Sequence, residues 1–407
     1  MSHPVGYESL TDGSAKTIRL SANIQKSSMY DAIVIGLGGM GSASLFELAS
    51  RGLKALGIEQ FDVPHEFGSS HGLTRIIRLA YFESPAYVPL LFRAYERWRE
   101  IEEHCGEKLL YITGSIDAGR EHTRTVQGSL QACHEFSLQH DLLDAAAVSK
   151  RFPGYQLERD MLAIFQPQGG FLLPECCIVN YVQAARDSGA VIHTQEKVIG
   201  WEKTLDGIAV RTAHARYEAS RLVITAGPWA RNLVPELNAL AVPERQVQLW
   251  TRPDQPDLFR PDCFPVFNLQ ASDDESLRYY GSPIHGIPAF KIGQYHHRHE
   301  QGDPEELSRE VESGDEQLLR HGIERFFPKA NGATIAAKTC LFTNSPDEHF
   351  ILDMHPETGR VAIAAGFSGH GFKFCSVIGE IMADLVTRGG TRHNIAPFRL
   401  NRHFGGE

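Results

Sequence analysis

The sequence predicts an α/β protein of two domains, one of which is assembled from separate segments of the chain. Its 407 residues are more than one ordinary hydrophobic core organises. An apolar run that begins near Tyr30 leads into a glycine-rich turn and then into a helical pattern. The same succession returns from Val361, close to the other end of the chain. These two units predict two parts of one α/β domain, and the residues between them must supply the rest.

The overall composition excludes several classes of protein. The net charge is −10 with histidine neutral, which argues against a nucleic-acid or acidic-membrane binder, because both need clustered positive charge. No apolar run approaches about 18 residues, so no transmembrane helix is expected. Residues 1–28 lack the apolar core of a signal peptide and are expected to be a poorly ordered extension. Seven scattered cysteines, an odd number, predict a reducing, cytoplasmic setting.

Three glycines after the first predicted strand have the spacing of a dinucleotide-binding turn. The strand covers residues 32–35, and Gly36, Gly38 and Gly41 come next in G-x-G-x-x-G order. Gly36 permits the tight turn, Gly38 lets the backbone approach a pyrophosphate, and Gly41 lets the helix pack close to the strand. Glycine-rich turns of unrelated α/β folds share such spacing, so the motif alone is weak evidence for a dinucleotide site.

The next elements along the chain complete the dinucleotide-binding unit. A helix is predicted over residues 39–50 and a second strand over residues 55–58. Glu59 comes directly after that strand, where an acid can accept hydrogen bonds from ribose hydroxyls. Strand, glycines, helix, strand and acid therefore predict a dinucleotide site, although this motif does not separate FAD from NAD.

A basic segment, HEFGSSHGLTRIIRLAY, lies soon after the acid. It carries His71, Arg75 and Arg78 within eight residues. On a helix, Arg75 and Arg78 would share one face. Such a segment is either a solvated basic turn or, when it is buried beside a cofactor, a source of arginines that bind carboxylates.

The C-terminal unit places another glycine turn before a helix. Residues 361–365 form the predicted strand and residues 376–385 the helix. The turn contains three glycines that let the backbone come close to a ligand: Gly366, Gly369 and Gly371. A helix N-terminus offers unpaired N–H groups and partial positive charge, so this unit suits a flavin, whose reduced ring is anionic. Lys373 in the turn is either solvated or the partner of a carboxylate.

Two further strands are predicted in the middle of the chain. Residues 189–202 alternate like a strand around Val198, and residues 221–230 form an apolar strand that runs into Gly227. The dinucleotide-binding domain is therefore expected to be discontinuous, with a strand-rich substrate domain built from the remainder. The predicted boundaries are 29–85, 166–240 and 336–407 for the first domain, and 86–165 and 241–335 for the second.

Three segments carry a resemblance to a known family: GSSHGLTRIIRLAY, KTCLFTNSPDEHFILD and GFSGHGFKF. In this order they resemble the monomeric sarcosine oxidase and N-methyltryptophan oxidase family, which also includes pipecolate oxidases. The resemblance covers nearly the whole chain, from about residue 30 to residue 404. It implies a monomer with a glutathione-reductase-like FAD-binding domain, and a substrate domain built on an antiparallel or mixed β-sheet with helices.

The resemblance also implies an FAD-dependent oxidase of N-methyl amino acids. A C–N bond next to a carboxylate would be oxidised to an imine that hydrolyses, and O2 would be reduced to hydrogen peroxide. The expected partners are a secondary amino acid and O2, with no nucleic acid and no membrane. Three other functions stay open: an oxidase of cyclic imino acids such as pipecolate or proline, an FAD dehydrogenase with a different electron acceptor, and a flavin-binding module without catalysis.

Roles for individual residues are implied by the same resemblance. Cys340 matches a cysteine bonded through sulfur to a methyl carbon of the flavin, so covalent FAD is expected; the alternative is a buried core cysteine. Lys291 matches a lysine that promotes the reaction with O2, where positive charge stabilises developing anions; the alternative is a surface lysine. Arg78 and Lys373 match residues that hold the substrate carboxylate, and Tyr280 matches a tyrosine of the substrate pocket.

Other matched residues are expected around the cofactor. His71 and Arg75 match residues beside the flavin, and cations there would favour the reactive thiolate of Cys340. Besides the first glycine motif and Glu59, the residues expected to bind the cofactor are Ser70, Val198, Cys340, Gly369, Phe372 and Lys373.

Two positions depart from the family pattern. Phe342 stands where the family usually has a tyrosine, so the pocket loses one hydroxyl, with an expected effect on substrate preference. The spacing in the segment after Lys291 leaves open whether Tyr295, His296 or neither faces the substrate. His296, His297 and His299 resemble a metal site, but they lack a defined ligand set, and exposed histidines are the favoured interpretation.

Overall fold

The computed structural model describes residues 29–402 apart from residues 274 and 276, so the extension predicted at residues 1–28 lies outside the described residues. The strands are, in chain order, β1 (Tyr30–Ile35), β2 (Ala55–Ile58), β3 (Arg75–Ile77), β4 (Leu110–Ile112), β5 (Ser115–Arg120), β6 (Asp141–Asp144), β7 (Met161–Gln166), β8 (Gly170–Leu172), β9 (Val191–His193), β10 (Val198–Lys203), β11 (Ile208–Thr212), β12 (Arg216–Ile224), β13 (Val242–Thr251), β14 (Val266–Gln270), β15 (Arg278–Ser282), β16 (Phe290–Gln294), β17 (Thr334–Asn344), β18 (Ile351–Met354) and β19 (Val361–Ala365). The helices are α1 (Gly39–Ser50), α2 (Val88–Cys105), α3 (Arg124–Glu135), α4 (Ala145–Arg151), α5 (Pro174–Asp187), α6 (Ala230–Leu233), α7 (Ser313–Phe326) and α8 (Cys375–Arg388).

A largely parallel sheet joins the two ends of the chain. β1 pairs in parallel with β2 on one side and with β12 on the other. β9 extends the sheet beyond β2, and β19 pairs in parallel with β12. Helices α1 and α8 pack against each other beside these strands, and the strands' inward residues are apolar and buried. The predicted fold class is thereby confirmed, because strands from distant parts of the chain share one α/β layer.

Glycine is required at two positions of the turn after β1. Gly36 has a φ of +87°, and a Cβ there would lie 2.7 Å from the carbonyl oxygen of Thr225. A Cβ at Gly41 would overlap the carbonyl oxygen of Gly36. Helix α1 therefore approaches β1 this closely only with glycine at position 41, which is the packing role that the motif predicts.

The second sheet has one apolar face and one polar face. Its strand order is β17-β13-β16-β15-β14-β5-β7-β6. One set of alternate residues packs with helix α7 in an aromatic-rich core. The register brings the other set onto a single opposite face, because residues paired across neighbouring strands share a face. That face carries Gln248, Asn268, Arg278, Tyr280, Lys291 and Cys340.

The basic segment forms strand β3 of a small sheet with order β3-β8-β4, and not a helix. Side chains alternate along extended backbone, so Arg75 and Arg78 point in opposite directions. Arg75 lines a cavity at the end of the first sheet, whereas Arg78 is buried, with 1% of its surface exposed. The segment is not helical, so the condition under which the two arginines would share a face is not met.

The predicted domain boundaries stay predictions, but two elements cross them. Strand β17 pairs along its length with β13, so residues 336–344 belong to the second sheet. Helix α2, which the boundaries place in the substrate domain, packs against α8 in the core of the first sheet. Within the described residues, none of the helices combines the length and the apolar character needed to cross a membrane.

Candidate active site

A cavity of about 390 Å³ opens where the parallel strands of the first sheet end. Its walls begin at the carboxyl ends of β1, β2, β12 and β19, which is where open α/β sheets bind ligands. Eight of the residues predicted to bind or flank the cofactor line it: Gly36, Gly38, Glu59, Ser70, Arg75, Val198, Gly369 and Phe372. Gly41 lies behind this wall, where it lets helix α1 pack against β1.

The glycine end of the cavity fits a dinucleotide. A Cβ at Gly38 would meet only the hydroxyl of Ser70, at 3.7 Å, so the backbone there stays open to a ligand. Glu59 accepts hydrogen bonds from the backbone N–H groups of Leu37, at 2.7 Å, and Phe61, at 3.1 Å. Burial raises the pKa of Glu59, and these bonds oppose the rise. Its carboxylate lines the cavity and retains acceptor capacity for ribose hydroxyls.

Lys291 is a buried cation held by backbone oxygens. Its Nζ donates to the carbonyl oxygens of Gly72, at 2.6 Å, and Thr74, at 2.8 Å, and to the Thr74 hydroxyl, at 3.3 Å. Burial and, to a smaller extent, the positive charge of Arg75 lower the pKa of Lys291 well below its usual range. Three acceptors nevertheless match the three N–H bonds of an ammonium group. Among the described residues, no ion pair joins this nitrogen to a carboxylate.

Cys340 lies on the same face of the second sheet as Lys291. Its Sγ accepts a hydrogen bond of 3.0 Å from Nε2 of Gln248, and only 1% of the residue is exposed. Phe342, two residues along β17 and thus on the same face, lines the cavity. Burial lowers the pKa of Lys291 and of Arg309, and an ionised Cys340 would oppose the shift in both. The thiol is therefore close to two cations and to the cavity wall.

His71 is not the cation that the sequence predicts beside Cys340. It is 1% exposed, and burial, Arg75 and Lys291 lower its pKa well below its ordinary value. The imidazole is therefore neutral near pH 7, so only Arg75 of the predicted pair is a cation. Among the described residues, neither ring nitrogen of His71 has a hydrogen-bond partner. Unpaired buried nitrogens of this kind fit a site that a bound group completes.

Arg78 already has carboxylate partners. Its Nη2 donates to both oxygens of Glu83, at 2.9 and 2.7 Å, and its Nε lies 3.4 Å from Asp117 Oδ1. Burial raises the pKa of Glu83, but Arg78 and the weaker effects of His370, Lys373 and Arg278 together lower it to about 2. Burial raises the pKa of Asp117 to about 6 in spite of Arg78. A substrate carboxylate at Arg78 would therefore compete with Glu83.

Among the described residues, the hydrogen-bond partners of Lys373 are neutral, whereas Arg78 pairs with carboxylates. Its Nζ donates to the carbonyl oxygen of His370, at 2.7 Å, and to the hydroxyl of Tyr81, at 3.5 Å. Burial lowers the pKa of Lys373 to about 7, with Glu83 opposing that shift. Tyr81 in turn makes a 2.6 Å hydrogen bond to Nδ1 of His370. Lys373 thus changes charge near neutral pH at the position where the sequence predicts carboxylate binding.

Three aromatic rings form a wall beside Cys340, and one of them belongs to Tyr295. Tyr295 lies with its ring centroid 5.0 Å from that of Tyr280 and 5.7 Å from that of Phe342. These rings and Cys340 form one buried cluster. Tyr295, and not His296, therefore joins the predicted pocket residue Tyr280.

The three histidines after this strand point to different partners. His296 bridges Glu244, at 3.0 Å, and Glu348, at 2.8 Å, and these carboxylates raise its pKa to about 9 against the effect of burial. His297 instead pairs with Asp315 at 3.0 Å. Glu244, His296 and His299 have ligand atoms within 4.8 Å of one another, but the ion pairs already satisfy His296. A metal site thus stays disfavoured, but the expectation of exposed histidines is wrong for His297, which is buried against Asp315.

Sequence reasoning missed the acidic and amide partners of the site. The missed residues are Glu83, Asp117, Glu175, Gln248 and Glu348. Only Glu83 had a local signal, as an acid five residues after Arg78. Glu175 accepts hydrogen bonds from the N–H groups of Gly72, at 2.6 Å, and Leu73, at 3.2 Å, and so fixes the turn that holds Lys291.

A protein-family model and several known proteins match this chain over most of its length. A family model described as FAD dependent oxidoreductase matches residues 31–385. The chain is 40% identical over 376 residues to a monomeric sarcosine oxidase of Streptomyces avermitilis, covering 92% of this chain and 97% of the relative. It is 33% identical over 378 residues to an N-methyl-L-tryptophan oxidase of Yersinia pestis, covering 92% and 99%.

Solved structures share the fold at lower identity. NikD, an amino acid oxidase of nikkomycin biosynthesis, superposes with a TM-score of 0.79 at 22% identity, covering 91% of this chain and 97% of that one. Glycine oxidase from Geobacillus kaustophilus superposes with a TM-score of 0.77 at 22% identity, covering 93% and 100%. At this identity the likeness supports the fold alone.

Proposed function

This chain belongs to the FAD-dependent oxidoreductase family, as its three motifs predicted, and from that premise we propose that it is an oxidase of N-methyl amino acids. The observation that carries the proposal is the single polar face of the second sheet. It brings Lys291, Cys340 and Tyr280 together at the end of the cofactor cavity where Arg75 and Phe342 form the wall. The relatives named as sarcosine oxidases give the substrate class.

When bound, FAD would supply the redox chemistry: it would accept a hydride equivalent from the carbon next to the substrate nitrogen and pass the two electrons to O2, giving hydrogen peroxide. The residues of the chain bind and orient the substrate. Arg78 and Lys373 supply positive charge for its carboxylate, and the aromatic wall of Tyr280, Tyr295 and Phe342 excludes water. The oxidised product is an imine, which water hydrolyses.

The substrate amine must be neutral to lose a hydride, and the charges of the pocket favour that form. Free alkylamines titrate near pH 10, so most of the substrate arrives protonated. Arg78 is permanently charged and buried, and Lys373 is charged below a pKa of about 7. Positive groups beside a bound amine lower its pKa, so the pocket releases a proton from the substrate.

Lys291 is proposed to act in the reaction with O2. It is buried at 4% exposure and its ammonium group has only carbonyl and hydroxyl oxygens around it. Without a carboxylate partner among the described residues, its charge is available to stabilise an anion that forms beside it. This function favours O2 over a different electron acceptor.

Cys340 is proposed to hold FAD through a covalent bond. A new S–C bond would replace the S–H bond of Cys340 and a C–H bond of the flavin methyl group. The two electrons and two protons released would remain on the bound FAD, which O2 then reoxidises. The support is the placement of Cys340 on the same face of β17 as Phe342, which lines the cavity, and its packing against that ring.

We also propose a monomer in the cytoplasm. The support is that the seven cysteines are free and that relatives at 39–40% identity are named as monomeric enzymes.

Anaerobic mixing of the protein with a panel of amines tests the proposed function. Sarcosine and other N-methyl amino acids should bleach the flavin, and air should restore the colour with release of hydrogen peroxide. The matching methyl esters should react at least about 10-fold more slowly, because a neutral ester forgoes the charge-assisted hydrogen bonds of a carboxylate, each worth about 1.5–3 kcal/mol. Equal rates for acid and ester would contradict carboxylate recognition by Arg78 and Lys373, and absence of bleaching by every secondary amino acid would contradict the proposed activity.

A further inference from the structure

We propose that Arg278 forms a second anion site in the substrate pocket, so that the preferred substrate is a secondary amino acid with an acidic side chain. This inference rests on the proposed function and names the substrate class of the same site. It concerns a residue that none of the three motifs contains.

Arg278 faces the pocket from the edge of the aromatic wall. It is the first residue of β15, and alternation along that strand puts it on the same face as Tyr280 and Ser282. Its guanidinium carbon lies 4.0 Å from the ring centroid of Tyr295 and 5.2 Å from that of Phe82. Only 4% of the residue is exposed. The cation is therefore buried beside the aromatic wall and not on the surface.

Most of the hydrogen-bonding capacity of Arg278 is unused. A guanidinium has five N–H bonds. Among the described residues, Nε is buried without a partner, and Nη1 reaches only Glu275 Oε2, at 3.4 Å. Glu275 is itself partly exposed and is shared with Arg124, at 3.1 Å. A buried guanidinium with a free N–H and one long, shared contact is suited to bind an incoming carboxylate.

Two further acids lie near Arg278, Glu83 and Glu348, but neither forms an ion pair with it among the described residues. Both are near enough for Arg278 to contribute to lowering their pKa values. Glu83 is bound to Arg78, and Glu348 to His296. If Arg278 only balanced these two acids, no direct contact with a ligand would be needed, and the side-chain charge of the substrate would not matter.

The spacing between Arg278 and Arg78 suits two acidic groups on one small molecule. Both guanidinium groups lie over the same ring, that of Phe82, at 5.2 and 4.4 Å from its centroid. The two guanidinium carbons are therefore within about 10 Å of each other. A dicarboxylic amino acid, with two or three carbons between its acidic groups, spans such a separation when each carboxylate pairs with one arginine.

The test compares acidic substrates with their uncharged amides on the holoenzyme. N-methyl-L-glutamate and N-methyl-L-aspartate should reduce the flavin anaerobically at least about 10-fold more efficiently than N-methyl-L-glutamine and N-methyl-L-asparagine. Arg278→Met should abolish this preference. Arg325→Met is the matched control, because Arg325 also lies over a ring, that of Phe326 at 4.8 Å, but on helix α7 at the opposite face of the sheet. It should keep the preference.

Binding of unreactive acids separates this inference from the proposed activity. Glutarate should raise the midpoint of thermal unfolding more than butyrate does, and Arg278→Met should remove the difference. Equal reaction of acid and amide, together with equal binding of glutarate and butyrate, would overturn the inference even if sarcosine is oxidised. If no secondary amino acid bleaches the flavin, the proposed activity fails, while a glutarate preference that depends on Arg278 would still support the second anion site.

Discussion

Arg78 binds Glu83 through two hydrogen bonds, 2.9 and 2.7 Å long, from one guanidinium nitrogen to both carboxylate oxygens. Both residues are almost fully buried. The pocket therefore contains its own carboxylate where the substrate carboxylate is proposed to bind. Substrate must either displace Glu83 from this pair or share Arg78 with it.

Glu83→Gln should destabilise the ligand-free protein and make it more responsive to acids. The change leaves Arg78 with only one of its two carboxylate partners, Asp117, at a cost of about 3 kcal/mol in the free energy of unfolding. Acetate should then raise the midpoint of thermal unfolding of the variant more than that of the original protein, because it replaces the missing carboxylate. Glu96→Gln, at an exposed acid on helix α2, is the control. If acetate stabilises both proteins equally, Arg78 is not an anion site.

Binding of a carboxylate should weaken as the pH rises through about 7. Burial lowers the pKa of Lys373 to about 7, so its ammonium group is present below that pH and is lost above it. Acetate is fully ionised across this range, so its affinity should fall by up to about 10-fold per pH unit above pH 7. Titration of the flavin absorbance at several pH values measures the effect.

Lys373→Arg should remove this pH dependence and keep acetate binding, because arginine stays charged. Lys373→Met should remove the pH dependence by weakening binding at every pH. A pH profile that persists in Lys373→Met would assign the titration to another group of the pocket, such as Asp117, whose pKa burial raises to about 6.

Cys340→Ser should release FAD on denaturation, whereas the original protein should keep fluorescent flavin on a denaturing gel. Serine is a poor nucleophile at neutral pH and cannot form the thioether. Cys375→Ser is the matched control, because Cys375 is also 1% exposed but packs behind Gly39 in the core of the first sheet. Covalent flavin in Cys340→Ser, or its loss in Cys375→Ser alone, would refute the assignment.

Lys291→Met should slow reoxidation of the flavin by O2 far more than its reduction by substrate. Removal of one preorganised charge typically costs about 2.7–4 kcal/mol, or 10² to 10³ in rate. Stopped-flow measurement of the two half-reactions separates them. Lys338→Met is the control, since Lys338 is 42% exposed and pairs with Glu66. Equal losses in both half-reactions would show that Lys291 only shapes the pocket.

The nucleotide end of the site could be predicted from sequence because its residues are close together in the chain. Gly36, Gly38 and Glu59 belong to one strand–helix–strand unit, and each lines the cavity. Local rules of turn geometry and helix packing determine their places. Val198, placed by its alternating pattern, also lines the cavity.

The substrate end depends on pairings that local pattern does not contain. Gln248 meets Cys340 because β13 and β17 pair across more than 80 intervening residues. Asp117 meets Arg78 across nearly 40 residues of chain, from a different sheet from the one that precedes Arg78. His71 was predicted as a cation because burial, which decides its pKa, is invisible in the sequence. The contacts of residues whose partners lie far along the chain, such as Arg278, therefore could not be predicted from the sequence.

The long pairing of β17 with β13 makes flavin attachment a reporter of correct folding. Their ladder runs from Val242 opposite Asn344 to Thr251 opposite Thr334. A slip of one residue would turn Cys340 toward the apolar core and Leu341 toward the cavity. A chain that misfolds in this strand could still be expressed, but it could not carry the proposed covalent flavin. The ratio of bound flavin to protein would thus count the molecules whose second sheet has assembled in native register.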